Sequence, residues 1–100
     1  MDTPYEMKDV AGFPDYQITK DGKIWSKKSK KFLKPRPDKD GYLRVDIYRN
    51  HKQYTRFIHR LVGLTYIELV PNKPYIDHID RNRQNNCVEN LRWVTHAENM

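Results

Sequence analysis

The apolar and polar positions of this 100-residue chain change period once. Up to about residue 56 they fall into short runs rich in β-branched and aromatic residues: DYQIT (15–19), GKIWSK (22–27), KFLKP (31–35), GYLRVDIYR (41–49) and KQYTRFI (52–58). Gly, Asp, Asn and Pro separate these runs at hairpin spacing, which predicts antiparallel strands. The alternation is clearest where Leu43, Val45 and Ile47 face one way and Arg44, Asp46 and Tyr48 the other. That pattern predicts a sheet with one face on a core and the other in water. TKDGK (19–23) predicts a tight hairpin, because Gly22 can supply the positive φ such a turn needs.

From residue 57 the period lengthens. In FIHRLVGLTYI (57–67), Ile58, Leu61, Val62, Thr65 and Tyr66 fall at i, i+3, i+4, i+7 and i+8, predicting a helix with one buried face. Gly63 inside it costs ~1 kcal/mol relative to Ala, a cost that close packing would explain. VPNKP (70–74) ends the helix and acts as a linker. YIDH (75–78) and LRWVT (91–95) read as short strands around a polar loop, IDRNRQNN (79–86). NCVEN (86–90) has the form of a capping-box-like start to one helical turn, with Asn86 at the cap. THAENM (95–100) has Thr95 as N-cap and Glu98 at N3, opening a helix with Asn99 in its first turn. The predicted class is α+β. A small antiparallel β module spans residues 1–56, and residues 57–100 hold a helix and a strand–loop–strand–helix unit. One helical turn is not stable alone, so a longer C-terminus is expected.

Composition narrows the partners. The 37% hydrophobic content is low, but twelve aromatic residues offset part of the deficit and argue for a folded domain. The lone Cys87 allows no internal disulfide, and the absence of CxxC excludes a sulfur-rich zinc site. MDTPYEMKDV has no apolar leader core and no segment reaches transmembrane length, so a soluble, cytoplasmic monomer without a membrane partner is expected. The net charge of +6 is concentrated: residues 20–60 hold 14 of the 19 Lys and Arg. A solvated face also carries charge, but here the cations interleave with Trp25, Phe32, Tyr42, Tyr48 and Tyr54, which favours a polyanion. The candidate contacts are Lys23, Lys27, Lys28, Lys34, Arg36, Arg44, Arg49 and Arg56 on the sheet, with Arg81 and Arg83 in the polar loop.

DHIDRNRQNNCVENLRWVTHAEN (77–99) resembles the HNH nuclease motif in the version found in phage group I intron-encoded homing endonucleases. DVAGFPDYQITKDGKIWS (9–26), GYLRVDIYR and IHRLVGLTYI are similar to the NUMOD4-like DNA-binding module that precedes it in that group. The resemblance spans about nine-tenths of the chain in the expected order. It implies a ββα-metal motif behind a sheet that tracks double-stranded DNA, and a metal-dependent DNA endonuclease that nicks one strand. By position, His78 matches the general base, Asn90 the residue that orients it, and Asp77 and Asn99 the metal ligands. Oxygen donors of that kind imply one Mg²⁺ or Mn²⁺ per active site in preference to Zn²⁺. Adjacent side chains at a strand end diverge, which suits His78 to the attacking water and Asp77 to the metal near the leaving oxygen.

The residues leave other readings open. A non-catalytic nucleic-acid-binding module would share this scaffold, and a basic face also suits an acidic protein. Asp80, Asn82, Asn85 and Asn86 read as loop-formers. His59 and Arg60 read as packing between helix and sheet, Trp93 as core, His96 as a helix N1 residue, and Cys87 as a small buried hydrophobe. Two positions depart from the family pattern: Met7, near which Trp is common, and Arg81, where Gly is common.

Overall fold

The computed structural model describes residues 6–99; the first five residues, part of the N-terminal segment without an apolar leader core, and Met100, the end of the expected last helix, lie outside the described residues. β1 (Met7–Val10), β2 (Phe13–Thr19), β3 (Ile24–Ser26) and β4 (Lys31–Phe32) form a four-stranded antiparallel sheet in chain order. β5 (Arg36–Pro37), β6 (Leu43–Arg49) and β7 (Lys52–Phe57) form a second, three-stranded sheet. α1 (Ile58–Tyr66) follows, then β8 (Tyr75–His78) paired with β9 (Leu91–Val94), and a last turn of helix, α2 (His96–Asn99). The class is the expected mixture of small antiparallel sheets and a helix.

The details differ from expectation at prolines and charges. KFLKP continues as a strand only to Phe32, because Pro35 has no N–H to donate to a ladder. β5 keeps Pro37 only as a two-residue edge strand. The single expected sheet is therefore divided in two. β1 has no place among the expected strands, since Lys8 and Asp9 face solvent and only two apolar positions mark it.

The β2–β3 hairpin closes as the sequence predicts. Gly22 takes φ +90° and donates its N–H to the Thr19 carbonyl at 3.1 Å. Thr19 Oγ1 also accepts from the Lys23 N–H at 2.9 Å. At the tip of β6–β7, Asn50 and His51 both take positive φ, as a two-residue turn matching the strand twist requires.

α1 binds the parts together. Ile58, Leu61 and Val62 are its buried face, as the spacing predicts. Thr65 and Tyr66 are only half-buried and work through their hydroxyls instead. Thr65 Oγ1 accepts from the Ala11 N–H at 3.2 Å, and the Tyr66 hydroxyl donates to the Ile18 carbonyl. Gly63 lets the helix sit on the β8–β9 hairpin: a Cβ there would lie 2.5 Å from Ile76 Cδ1 and 3.2 Å from Trp93 Cζ2. One hydrophobic cluster runs from Val10, Ile18 and Ile24 through Val45 and Ile47 to α1, Ile76, Leu91 and Trp93. Both sides of residue 56 thus contribute to the same core. No helix among the described residues is long and apolar enough to cross a membrane.

Candidate active site

β8 and β9 pair with Asp77 opposite Arg92 and His78 opposite Leu91. Between the strands runs a polar loop, and short side chains fold it by bonding back to the backbone. Asp80 Oδ1 accepts from the Asn82 N–H at 2.8 Å, and Asn82 Oδ1 accepts from the Gln84 N–H at 3.0 Å. Asn85 Nδ2 donates to Asp80 Oδ2 at 2.8 Å. That bond and the Asn82 N–H hold the Asp80 carboxyl below the usual carboxylate range. Arg81 takes φ +66°, which explains why glycine is common at this position in the motif.

Asn90, expected to orient His78, does something else. Its Oδ1 accepts from the Asp80 N–H at 3.0 Å, and its Nδ2 donates to Asp80 Oδ1 at 3.0 Å and to the Asn85 carbonyl at 2.8 Å. Those bonds use the side chain's carbonyl and both amide hydrogens on the loop, leaving His78 to another partner. That partner is Asn86, whose Oδ1 lies 2.8 Å from His78 Nε2. Asn86 was expected as a loop-former and as the cap of the turn after it. Instead Val88–Asn90 form a 3₁₀ turn behind Cys87, without a side-chain cap. Asn90 thus braces the loop, and the side-chain contact with His78 falls to Asn86, because that contact depends on how the loop folds back. Cys87 is half-buried, and burial raises its thiol pKa.

A cavity of about 180 Å³ brings Asp77, His78 and Asn99 together with Arg81, Arg83, Tyr42 and Ile76. His78 is buried at 4% exposure, with the Tyr42 ring 5.9 Å and the His59 ring 5.1 Å from its own. Asp77 Oδ2 accepts from Arg92 Nε at 3.1 Å and Nη2 at 3.0 Å. Asn99 is carried by α2, whose N-terminus is the expected capping box. The Thr95 N–H donates to Glu98 Oε1 at 2.9 Å, and the Glu98 N–H donates to Thr95 Oγ1 at 3.1 Å. His96 is the first residue of this helix, and Trp93 belongs to the core.

Tyr42, by sequence one of the aromatics of the basic region, forms a wall of this cavity. Arg83 stacks on it at 4.8 Å and donates Nη1 to the Asp40 carbonyl at 2.6 Å. No local signal distinguishes Tyr42, the residue just before β6, from Tyr48, which is half-exposed on that strand. His59 packs as expected, among Phe57, Tyr42 and His78. Burial, with smaller contributions from His78 and Arg60, lowers its pKa to about 4, and its Nδ1 has no partner. Arg60 donates to the Pro74 carbonyl at 2.8 Å and lies over Trp93.

The other candidate cations spread over both sheets, and most have internal partners. Lys27 pairs with Asp9 at 2.9 Å, Lys28 with Asp15 at 3.4 Å, Lys23 with Asp21 at 3.9 Å, and Arg36 with Asp46 at 2.9 Å. Arg49 and Arg56 stack on Tyr54, and Arg49 Nη1 also donates to the Gly12 carbonyl at 2.9 Å. Arg44 is half-buried with its Nε unpartnered, and Lys34 is exposed. Exposed pairs contribute about 0–1 kcal/mol, so phosphates can exchange for their carboxylates at little cost.

Asp77 and Asn99 bring two oxygen donors to one cavity, a set that suits a hard divalent cation completing its shell with water and phosphate. Among the described residues, no three His, Cys, Asp or Glu side chains converge to enclose a metal on their own.

Comparison with known proteins agrees with this geometry. Residues 56–100 match the HNH endonuclease family, and residues 7–48 match the NUMOD4 motif. The chain is 52% identical over 86 residues to an uncharacterized HNH endonuclease of Acanthamoeba polyphaga mimivirus, L245, matching 86% of this chain and 26% of that protein. It is 40% identical over 96 residues to the DNA endonuclease I-HmuI of Bacillus phage SP01, matching 95% of this chain and 55% of that protein. The solved structure of I-HmuI, described as DNA binding and cleavage by the HNH homing endonuclease, superposes with a TM-score of 0.88 over 94% of this chain and 55% of that one. The chain therefore spans between about a quarter and just over half the length of these relatives. With the nuclease motif, the upstream motif and the fold all in agreement, the chain belongs to the HNH endonucleases that carry a NUMOD4 motif.

Proposed function

We propose that this chain binds double-stranded DNA as a monomer and hydrolyses its phosphodiester bonds, nicking one strand, with a divalent cation, Mg²⁺ or Mn²⁺, held by Asp77 and Asn99. The observation that carries this reading is the single cavity that gathers Asp77, His78 and Asn99 with Arg81 and Arg83. The printed descriptions of I-HmuI as a DNA endonuclease, and of its structure as DNA binding and cleavage, support it by homology.

The chain's residues divide the work as follows. His78 has one ring nitrogen, Nε2, engaged by Asn86, so Nδ1 is the atom that takes a proton from the attacking water. Arg81 and Arg83 meet the negative charge of the scissile phosphate. A cation bound at Asp77 and Asn99 would absorb charge developing on the phosphate oxygens. Asn90 keeps the loop in shape through its three hydrogen bonds. Lys and Arg along the two sheets supply phosphate contacts, which set position more than sequence.

Supercoiled plasmid with Mg²⁺ or Mn²⁺ tests this directly, comparing wild type, His78→Ala and an EDTA control. The expected result is open circles from the wild type only. DNA binding without cleavage by the wild type would refute the catalytic reading and leave a binding module on the same scaffold.

A further inference from the structure

Asn86 lies outside the residues that the motif marks as functional, yet it is the described side chain that hydrogen-bonds His78. We propose that Asn86 is the positioning residue for His78, and that the turn of the upstream β2–β3 hairpin holds Asn86 in place. The upstream module would then be part of the catalytic fold as well as a DNA-binding surface. The inference rests on His78 acting as the base.

The first link is chemical. An amide oxygen only accepts, so the 2.8 Å contact requires His78 Nε2 to carry the proton and donate it to Asn86 Oδ1. The neutral ring then has its lone pair on Nδ1, the nitrogen that Asn86 leaves unengaged. Both partners are buried, Asn86 at 3% exposure and His78 at 4%, which leaves little room for water between Nε2 and the amide. Water therefore does not substitute for the amide, and the bond fixes ring orientation as well as tautomer.

The second link is steric. The Val88 N–H, two residues past Asn86, donates to the Lys20 carbonyl of the turn at 2.8 Å. A Cβ on Gly22 would stand 3.2 Å from Asn86 Cβ and 2.9 Å from Ile58 Cγ2. Glycine thus allows the turn to close directly against Asn86. The turn is itself tied by Thr19, which is 3% exposed and whose hydroxyl accepts from the Lys23 N–H and bonds the Asp21 carboxylate. Thr19, Gly22, Asn86 and His78 form a continuous path from one family motif to the other.

Two readouts on the full chain test the proposal. With ¹⁵N-labelled histidine at about pH 8, His78, assigned by its loss in His78→Gln, should show a protonated Nε2. Its ring proton should exchange at least about tenfold more slowly than that of a solvent-exposed imidazole. Asn86→Leu should abolish that protection and lower kcat for plasmid nicking about 10²-fold, the low end of what a general base contributes, with KM for DNA within about twofold. Gly22→Ala, which strains a positive φ and presses on Asn86, should lower kcat in the same sense. A ring protonated at Nδ1, or a ring proton exchanging freely in the wild type, would overturn the proposal. So would unchanged kcat in Asn86→Leu. If the wild type showed the protected Nε2–H but did not cleave DNA, the nuclease reading would fail while the positioning of His78 stood.

Discussion

His59 offers a quantitative check on the packing around the site. It is 9% exposed, enclosed by Tyr42, Phe57 and His78, and its pKa falls from 6.5 to about 4, first through burial and then through His78 and Arg60. The folded chain therefore holds His59 neutral where the unfolded chain protonates it. Between pH 6.5 and about 4 the unfolded state binds the extra proton, so stability must fall as pH falls through that window. At pH 7 both states are nearly neutral at this ring and the effect is small. At pH 5 the difference amounts to about 2 kcal/mol, using 1.36 kcal/mol per pKa unit. The perturbation that isolates it is His59→Phe, which keeps an aromatic ring in the cluster and removes the titration. Urea denaturation of wild type and variant at pH 7 and pH 5 is the assay. The wild type should lose about 2 kcal/mol more than the variant on acidification, with unchanged m-values. Equal losses would show that His59 is protonated in the folded state, refuting the burial argument. The depressed carboxyl of Asp80 acts in the same direction only at lower pH, so it does not obscure the window.

Three further outcomes follow from the geometry. Gly63→Ala gains about 1 kcal/mol of helix propensity but drives a Cβ to 2.5 Å from Ile76 Cδ1, so a net loss of about 1–2 kcal/mol is expected in thermal or urea unfolding. Asn90→Ala removes three hydrogen bonds from a buried side chain, so a loss of about 2–3 kcal/mol is expected, and a change under 0.5 kcal/mol would show that the loop holds itself. Arg81→Gly relieves a positive φ of 66° and removes one proposed phosphate contact. It should stabilise the fold by about 1 kcal/mol while lowering the slope of log affinity against log salt by about one in DNA titrations.

Local patterns in the chain carried much of this structure. Alternation along β6, Gly22 in the hairpin turn, the 3.6-residue spacing of α1 and the Thr95–Glu98 capping box are short-range features, each decided by neighbours within a turn or a strand. The family motifs added the candidate residues Asp77, His78 and Asn99, and one cavity contains all three. Proline limited what the patterns could say about β4 and β5, where a missing N–H cut one expected strand short and divided the sheet.

Which asparagine meets His78 was beyond any local pattern. Asn82, Asn85, Asn86 and Asn90 are alike in chemistry and close in sequence, and only the path of the loop between β8 and β9 assigns Asn90 to the backbone and Asn86 to the ring. Tyr42 belongs to the site because β6 starts beside the β8–β9 hairpin, with Arg83 bridging the two. His59 is neutral because the neighbouring Phe57 ring and the Tyr42 and His78 rings from distant segments exclude water from it. Sequence determines these elements and their candidate chemistry through spacing and local hydrogen bonding. Partners, burial and charge state depend on contacts between residues far apart in the chain, which exist only once the core has formed.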